Sequence, residues 1–209
     1  MKKFVIAVTR TCGSRATTIC KLLAKDLQID VYDKELLKLA SVDSGINYEL
    51  FAQADEHTKK SLLYRVSKKV YNGELIPKES SDFISDTNLF NFQAKVLKQL
   101  AEEESYICIG RAADYVLRDN PNVIKVFIHA PLASRIAKEM QRLDISAKEA
   151  EKHILATDKY RREYYKYHTG QEWENPYNYD ICLNTGTLTN EQCVSYLRAY
   201  LEMKGYLED

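Results

Sequence analysis

The chain has 209 residues and a mass of 24.2 kDa, enough for one well-buried core with a small appended element and too few for two full domains. Thirty Lys+Arg balance thirty Asp+Glu, which argues against binding polymeric nucleic acid through a global basic field and leaves room for a local phosphate site. No apolar stretch reaches the ~18 residues of a membrane span, and the apolar run at Phe4 to Val8 is too short for a signal segment. Cys12, Cys20, Cys108, Cys182 and Cys193 are odd in number and scattered without a C-x-x-C. The expectation is a cytoplasmic chain without disulfides or structural zinc.

In chain order, short apolar runs mark strands at Phe4 to Val8, Ile29 to Tyr32 (the weakest), Tyr106 to Ile109, Val123 to Ile128 and Asp180 to Leu183. They are mostly β-branched or aromatic with almost no polar alternation, as strands covered on both faces of a parallel sheet read. Helical spacing fills the gaps. Ile19, Leu22, Leu23 and Leu27 form one face, and Leu89, Phe92, Val96 and Leu100 a second. Ile136 and Met140 open a third, and Val194, Leu197 and Leu201 mark the last helix. Alternation of this kind predicts an α/β fold, a five-stranded parallel sheet between two layers of helices. Two stretches break the rhythm. Residues 43–84 are polar and helical in composition, and residues 146–179 open with a capping Ser146 and a Glu149 three positions on. Insertions of this kind gather at the carboxyl edge of a sheet, so both can cover a ligand, or can be surface excursions without function.

The first strand runs into Thr9-Arg10-Thr11-Cys12-Gly13-Ser14-Arg15-Ala16-Thr17-Thr18, with a helix starting near Ala16. A small-residue turn leading into a helix aims backbone N–H groups at an anion. Thr11, Cys12, Gly13, Ser14, Ala16, Thr17 and Thr18 are the candidate cradle, Thr17 or Thr18 can supply a metal-ligating hydroxyl, and Arg10 and Arg15 supply charge. Against G-x-x-x-x-G-K-[ST] the loop is degenerate: Arg15 falls near the second glycine and Ala16 near the lysine. Taken alone it also reads as an ordinary turn. A nucleophilic role for Cys12 lacks a histidine placed by sequence, and His57, His129, His153 and His168 show no ligand spacing for zinc.

Four further blocks give the loop a context. They are Val31-Tyr32-Asp33-Lys34-Glu35-Leu36-Leu37, Gly110-Arg111-Ala112-Ala113-Asp114-Tyr115, His129-Ala130-Pro131-Leu132-Ala133-Ser134-Arg135, and Asp158-Lys159-Tyr160-Arg161-Arg162-Glu163-Tyr164-Tyr165, the last followed by Asn184-Thr185-Gly186. In this order the chain resembles the cytidylate-kinase-like family, a branch of the P-loop nucleoside monophosphate kinases, from about residue 3 to 200. The resemblance implies a P-loop NTPase-like three-layer core at about 1–42, 88–145 and 179–209. It also implies an acceptor-binding insertion at about 43–87 and a lid at about 146–178. It places Arg111 on an acceptor phosphate, Asp114 near the acceptor base or sugar, and Asp33 beside the acceptor site. Asp158, Arg161 and Arg162 become lid residues over the transferring phosphate, with Arg135 and Arg142 on the preceding helix, and Asn184 to Gly186 borders the donor adenine. Each has a plainer reading: Arg111 with Asp114 or Asp33 as helix caps, and the lid arginines as a solvated, salt-bridged face. Tyr164, Tyr165 and Tyr167 can stack on a base or pack the lid on the core.

The implied function is transfer of the ATP γ-phosphoryl group, with Mg²⁺, to a nucleoside monophosphate such as CMP or another small phosphate-bearing acceptor. Partners are then small molecules, with no polymeric nucleic acid or membrane, and the chain a monomer or homodimer. The loop departs from the family by lacking the catalytic lysine, a role that Arg10 or Arg15 can fill. The second reading is a kinase-derived nucleotide-binding or regulatory module without turnover.

Overall fold

The computed structural model describes residues 2–33 and 82–207, apart from the side chains of residues 82–89 and 92. The insertion expected at 43–87 therefore lies almost wholly outside the described residues, as do the side chains of Leu89 and Phe92. The strands are β1 (Val5–Arg10), β2 (Asp30–Tyr32), β3 (Tyr106–Ile109), β4 (Val123–His129) and β5 (Ile181–Asn184). They form one parallel sheet in the order β2-β3-β1-β4-β5. Between and after them lie α1 (Ala16–Leu27), α2 (Asp82–Glu103), α3 (Ala113–Val116), α4 (Leu132–Leu143), α5 (Ala147–Thr169), a 3₁₀ turn (Pro176–Asn178) and α6 (Asn190–Met203).

The inner strands β1 and β3 are apolar without alternation because both faces are covered, whereas β5 at the edge alternates buried and exposed residues. Ile6 and Val8 of β1 join Ile19 and Leu23 of α1 and Cys193, Leu197 and Leu201 of α6 in one cluster. Val5 and Ala7 point the other way, onto Val96, Leu97 and Leu100 of α2 and Ala113 and Val116 of α3. This is the three-layer α/β architecture the periodicities predict. The central strand is flanked by β3 and β4, so the loops after β1 and β3 leave from adjacent carboxyl ends. That is where an open α/β sheet presents its ligand crevice.

The expected capping box at Ser146 is present: the Ser146 hydroxyl accepts from the Glu149 N–H, and Glu149 accepts from the Ser146 N–H. α4 departs from its apolar pattern. Met140 is 36% exposed, and the helix's one buried residue is Glu139. The reason is position: α4 packs on α5 and on the loop after β1 rather than flat on the sheet. Among the described residues no helix is long and apolar enough to cross a membrane.

Candidate active site

The turn after β1 is shaped by two residues in the left-handed region, Gly13 (φ 78°) and Arg15 (φ 63°). Arg15 is the N-terminal cap of α1 and offers no side-chain cap, which leaves the first-turn N–H groups without that partner. Thr17 and Thr18 stand exposed on this turn. Ser14 is buried, with its hydroxyl donating to the Thr11 carbonyl at 2.8 Å. Among the described residues Thr11 Oγ1 is buried without a partner, an orphan that a ligand in the loop would satisfy. Gly13 has a further task. A Cβ there would lie 2.9 Å from both the Cβ and the backbone oxygen of Arg135, so glycine lets α4 dock on the loop.

A carboxylate sits on this loop. Asp158, on α5 and 5% exposed, accepts from the Cys12 backbone N–H at 2.7 Å through Oδ1. Its Oδ2 accepts from Arg135 Nη1 at 2.5 Å, and Arg161 Nη1 lies 3.6 Å from Oδ1 while donating to the Arg10 carbonyl at 3.2 Å. A backbone N–H and two guanidinium groups around one buried anion is the donor set a phosphoryl group takes. Arg162, one residue on, turns about 100° around the helix. It pairs with Glu174 at 3.1 Å and lies over the Trp173 ring, away from the loop. Arg135 thus enters the site in its place. The sequence shows it on the preceding helix without revealing that it, and not Arg142, faces Asp158.

On the β2–β3 side a second cationic group gathers. Arg10, at the end of β1, passes against Gly110, where any Cβ would collide with its guanidinium, and reaches Asp33 at 3.6 Å. Burial, then Arg161 and then Arg111, lower its pKa to about 10, against the pull of Asp33, so it stays charged at neutral pH. Arg111 has no hydrogen-bond or ion-pair partner among the described residues. Gly110, Arg111 and Ala112 are all left-handed (φ 83°, 62° and 50°), a cost of about 1–2 kcal/mol for each non-glycine residue. Strain of this kind collects at functional sites. It also means that Arg111 and Asp114 do not share a right-handed helical face.

Asp114 instead turns inward, where the Tyr165 hydroxyl donates to its Oδ2 at 2.5 Å; its Oδ1 is buried without a partner among the described residues. Burial raises the Asp114 carboxyl above its ordinary value, and the Tyr165 bond pulls it part of the way back. The folded chain then holds this proton more tightly than the unfolded chain, and stability declines as pH rises from about 3.8 through the folded value. Tyr165→Phe should cost about 1.5–3 kcal/mol above the folded value, where the bond is to a charged group, and less below it. Urea unfolding at a series of pH values checks this. Of the other tyrosines, Tyr164 lies in a ring group with Phe90 and His168, and Tyr167 is half exposed.

The loop also walls a cavity of about 160 Å³ shared with Ser134 and Lys138 of α4 and with Thr185, Gly186 and Leu188 after β5. Arg15 shapes that wall. Its guanidinium donates to the carbonyls of Thr185 and Leu188 and to Asn190 Oδ1, so its charge is committed to the segment after β5. Thr185 closes the contact from the other side, donating to the Ser14 carbonyl at 3.0 Å.

Residues 5–187 match the cytidylate kinase-like family. Among solved structures, an uncharacterized protein from Eubacterium ventriosum is 24% identical with a TM-score of 0.70, over 96% of this chain and 99% of that one. Shikimate kinase from Bacteroides thetaiotaomicron is 16% identical with a TM-score of 0.49, over 95% and 98% of the two chains. No curated protein matches. With that match spanning the loop after β1, the arginine turn after β3 and the Asp158 helix, the chain belongs to the cytidylate kinase-like family.

Proposed function

We infer that the chain is an ATP-dependent phosphotransferase of the nucleotide-kinase type, acting on a small phosphate-bearing acceptor such as a nucleoside monophosphate. The observation that supports this best is Asp158. A chain that holds its own carboxylate between a loop N–H and two arginines has a cradle for the oxyanion of a substrate.

In this reading the donor phosphates take the loop of residues 11–18 and displace Asp158, and the donor base lies in the cavity beside Thr185 and Gly186. At about 160 Å³ that cavity is smaller than the roughly 300–1,000 Å³ of sites that enclose a whole ligand, and suits one flat ring. Mg²⁺ would be held through the exposed hydroxyl of Thr17 or Thr18 and would supply charge neutralisation on the phosphates. Arg135 and Arg161 grip the transferring group with forked donors. Arg135 thereby takes the part of the absent lysine, since Arg10 is turned to Asp33 and Arg15 to backbone carbonyls. Arg111 binds the acceptor phosphate beside Arg10 and Asp33, and the free Asp114 Oδ1 accepts from the acceptor base or sugar. Arg162, tied to Glu174, stands outside this set and steadies the end of the lid.

A second reading has its own support. With Asp158 seated on the loop and no lysine in it, the chain can serve as a nucleotide-binding regulatory module without turnover. Thermal shift with ATP and Mg²⁺, then ADP release against a panel of nucleoside monophosphates, separates the two. The phosphotransferase reading expects acceptor-dependent ADP release that falls about 10²-fold or more in Arg135→Ala or Arg161→Ala. Binding without turnover supports the module, and absence of both overturns both.

A further inference from the structure

We propose that Cys12, Glu139 and His153 form a binding site for a borderline divalent transition metal, zinc foremost, at the junction of the loop after β1, α4 and α5. Each element contributes one donor, and the sulfur, carboxylate oxygen and imidazole nitrogen all lie within 4.8 Å of one another. His153 Nε2 is 3.7 Å from Glu139 Oε2. Bond lengths of about 2.0–2.3 Å around zinc bring such donors to roughly 3–4 Å apart, so closure asks for small side-chain movements only.

The donor set selects the ion. A thiolate, an imidazole and a single carboxylate suit zinc or cobalt and poorly suit Mg²⁺ or Ca²⁺, which require oxygen. The charges also balance, since a thiolate and a carboxylate neutralise a dication. Cys12 and Glu139 are buried at 6% and 3% exposure, whereas the His153 side chain is 41% exposed and gives the ion a way in. Three protein ligands leave one tetrahedral position for water.

The site also gives a reason for a carboxylate as the one buried residue of α4. Glu139 is held at present by Arg142, whose Nε lies 3.2 and 3.1 Å from its two oxygens. That arginine is 59% exposed and free to swing outward. A plain Arg142–Glu139 ion pair would not require a thiol and an imidazole beside it. Because the Cys12 N–H is one of the groups that hold Asp158, a metal on the Cys12 sulfur would fasten α4 and α5 to the loop from the side-chain side. The proposal does not rest on the phosphotransfer reading.

The test uses the whole chain, stripped with a chelator and titrated with Co²⁺ and with Zn²⁺. Expected are one site per chain and a thiolate-to-cobalt charge-transfer absorption. His153→Ala, at an exposed position that leaves the fold intact, should weaken Zn²⁺ binding by about 100-fold or more. That is the upper end of, or beyond, the ~10–100-fold cost of losing an outer-shell partner. Cys12→Ser should abolish the absorption, and Cys182→Ser, at the exposed cysteine, should bind as wild type. Arg142→Ala, which releases Glu139, should bind several-fold more tightly. If Cys12→Ser does not fold, His153→Ala and the absorption decide. Absence of saturable binding, unchanged binding in His153→Ala, or equal competition by Mg²⁺ overturns the site.

Discussion

Asp158→Ala is expected to lose about 3–5 kcal/mol of stability in phosphate-free buffer and to recover much of it when pyrophosphate is added. The first part follows from burial. Asp158 and Arg135 are 8% and 13% exposed at their side chains, and removing one partner of a buried pair leaves the other charge uncompensated. Arg135 Nε is buried without a partner among the described residues, and without Asp158 the guanidinium keeps only a 3.4 Å bond from Nη1 to the Cys12 carbonyl. The second part follows from the donor set. Cys12 N–H, Arg135 and Arg161 would face an empty space of the shape an oxyanion fills. A ligand at 100 times its Kd contributes about 2.7 kcal/mol by mass action. The wild-type chain should gain much less, because its own carboxylate competes for the same donors. Chemical denaturation with and without pyrophosphate measures both numbers. A loss under about 1 kcal/mol, or an equal gain in both proteins, would show that Asp158 is an ordinary surface-edge carboxylate.

Gly13→Ala is the other large effect, expected at about 2–5 kcal/mol. Two costs add. The left-handed backbone at φ 78° costs a side-chain-bearing residue about 1–2 kcal/mol. The new Cβ, 2.9 Å from the Cβ and carbonyl oxygen of Arg135, forces α4 to shift, typically another 1–3 kcal/mol. Gly205→Ala separates them, since Gly205 has a similar φ of 71° and open space around its Cβ direction. It should show the backbone cost alone. At roughly 2–4 °C per kcal/mol for a domain of this size, melting temperatures resolve the difference. Equal shifts in the two variants would mean that α4 does not rest on the loop. Displacing α4 also displaces Arg135, so Gly13→Ala should weaken oxyanion binding where Gly205→Ala does not.

These effects locate what was readable in the amino acids alone. All five strands lie where the apolar runs put them, within one or two residues, because those runs are too short for helices and rich in β-branched or aromatic residues. The faces of α1 and α6 were readable too. Ile19, Leu23, Leu197 and Leu201 are all buried, although Leu22 is 38% exposed. α4 failed that reading because its buried position holds Glu139, and a carboxylate carries no hydrophobic signal.

The site was legible as a set of residue types and not as a geometry. Arg161 and Arg162 are indistinguishable in sequence, and only the phase of α5 sends one to Asp158 and the other to Glu174. Arg15 reads in sequence as a candidate for the role of the missing loop lysine, yet its left-handed backbone carries the guanidinium onto carbonyls from residues 185 and 188. The turn at 110–112 showed one glycine, and nothing in Arg111 or Ala112 announced left-handed backbone at both. Asp158 and Cys12, 146 residues apart, meet through tertiary packing that no local pattern encodes.

Titration of ATP into the Asp158→Asn chain by calorimetry probes the oxyanion cradle most directly. One site is expected, at least tenfold tighter than in wild type, since a competing charge-assisted bond of about 1.5–3 kcal/mol no longer has to be broken. Adding Arg135→Ala should remove the gain. Absence of binding in either chain, or equal affinity for ATP and for adenosine, would contradict a phosphate site at this loop.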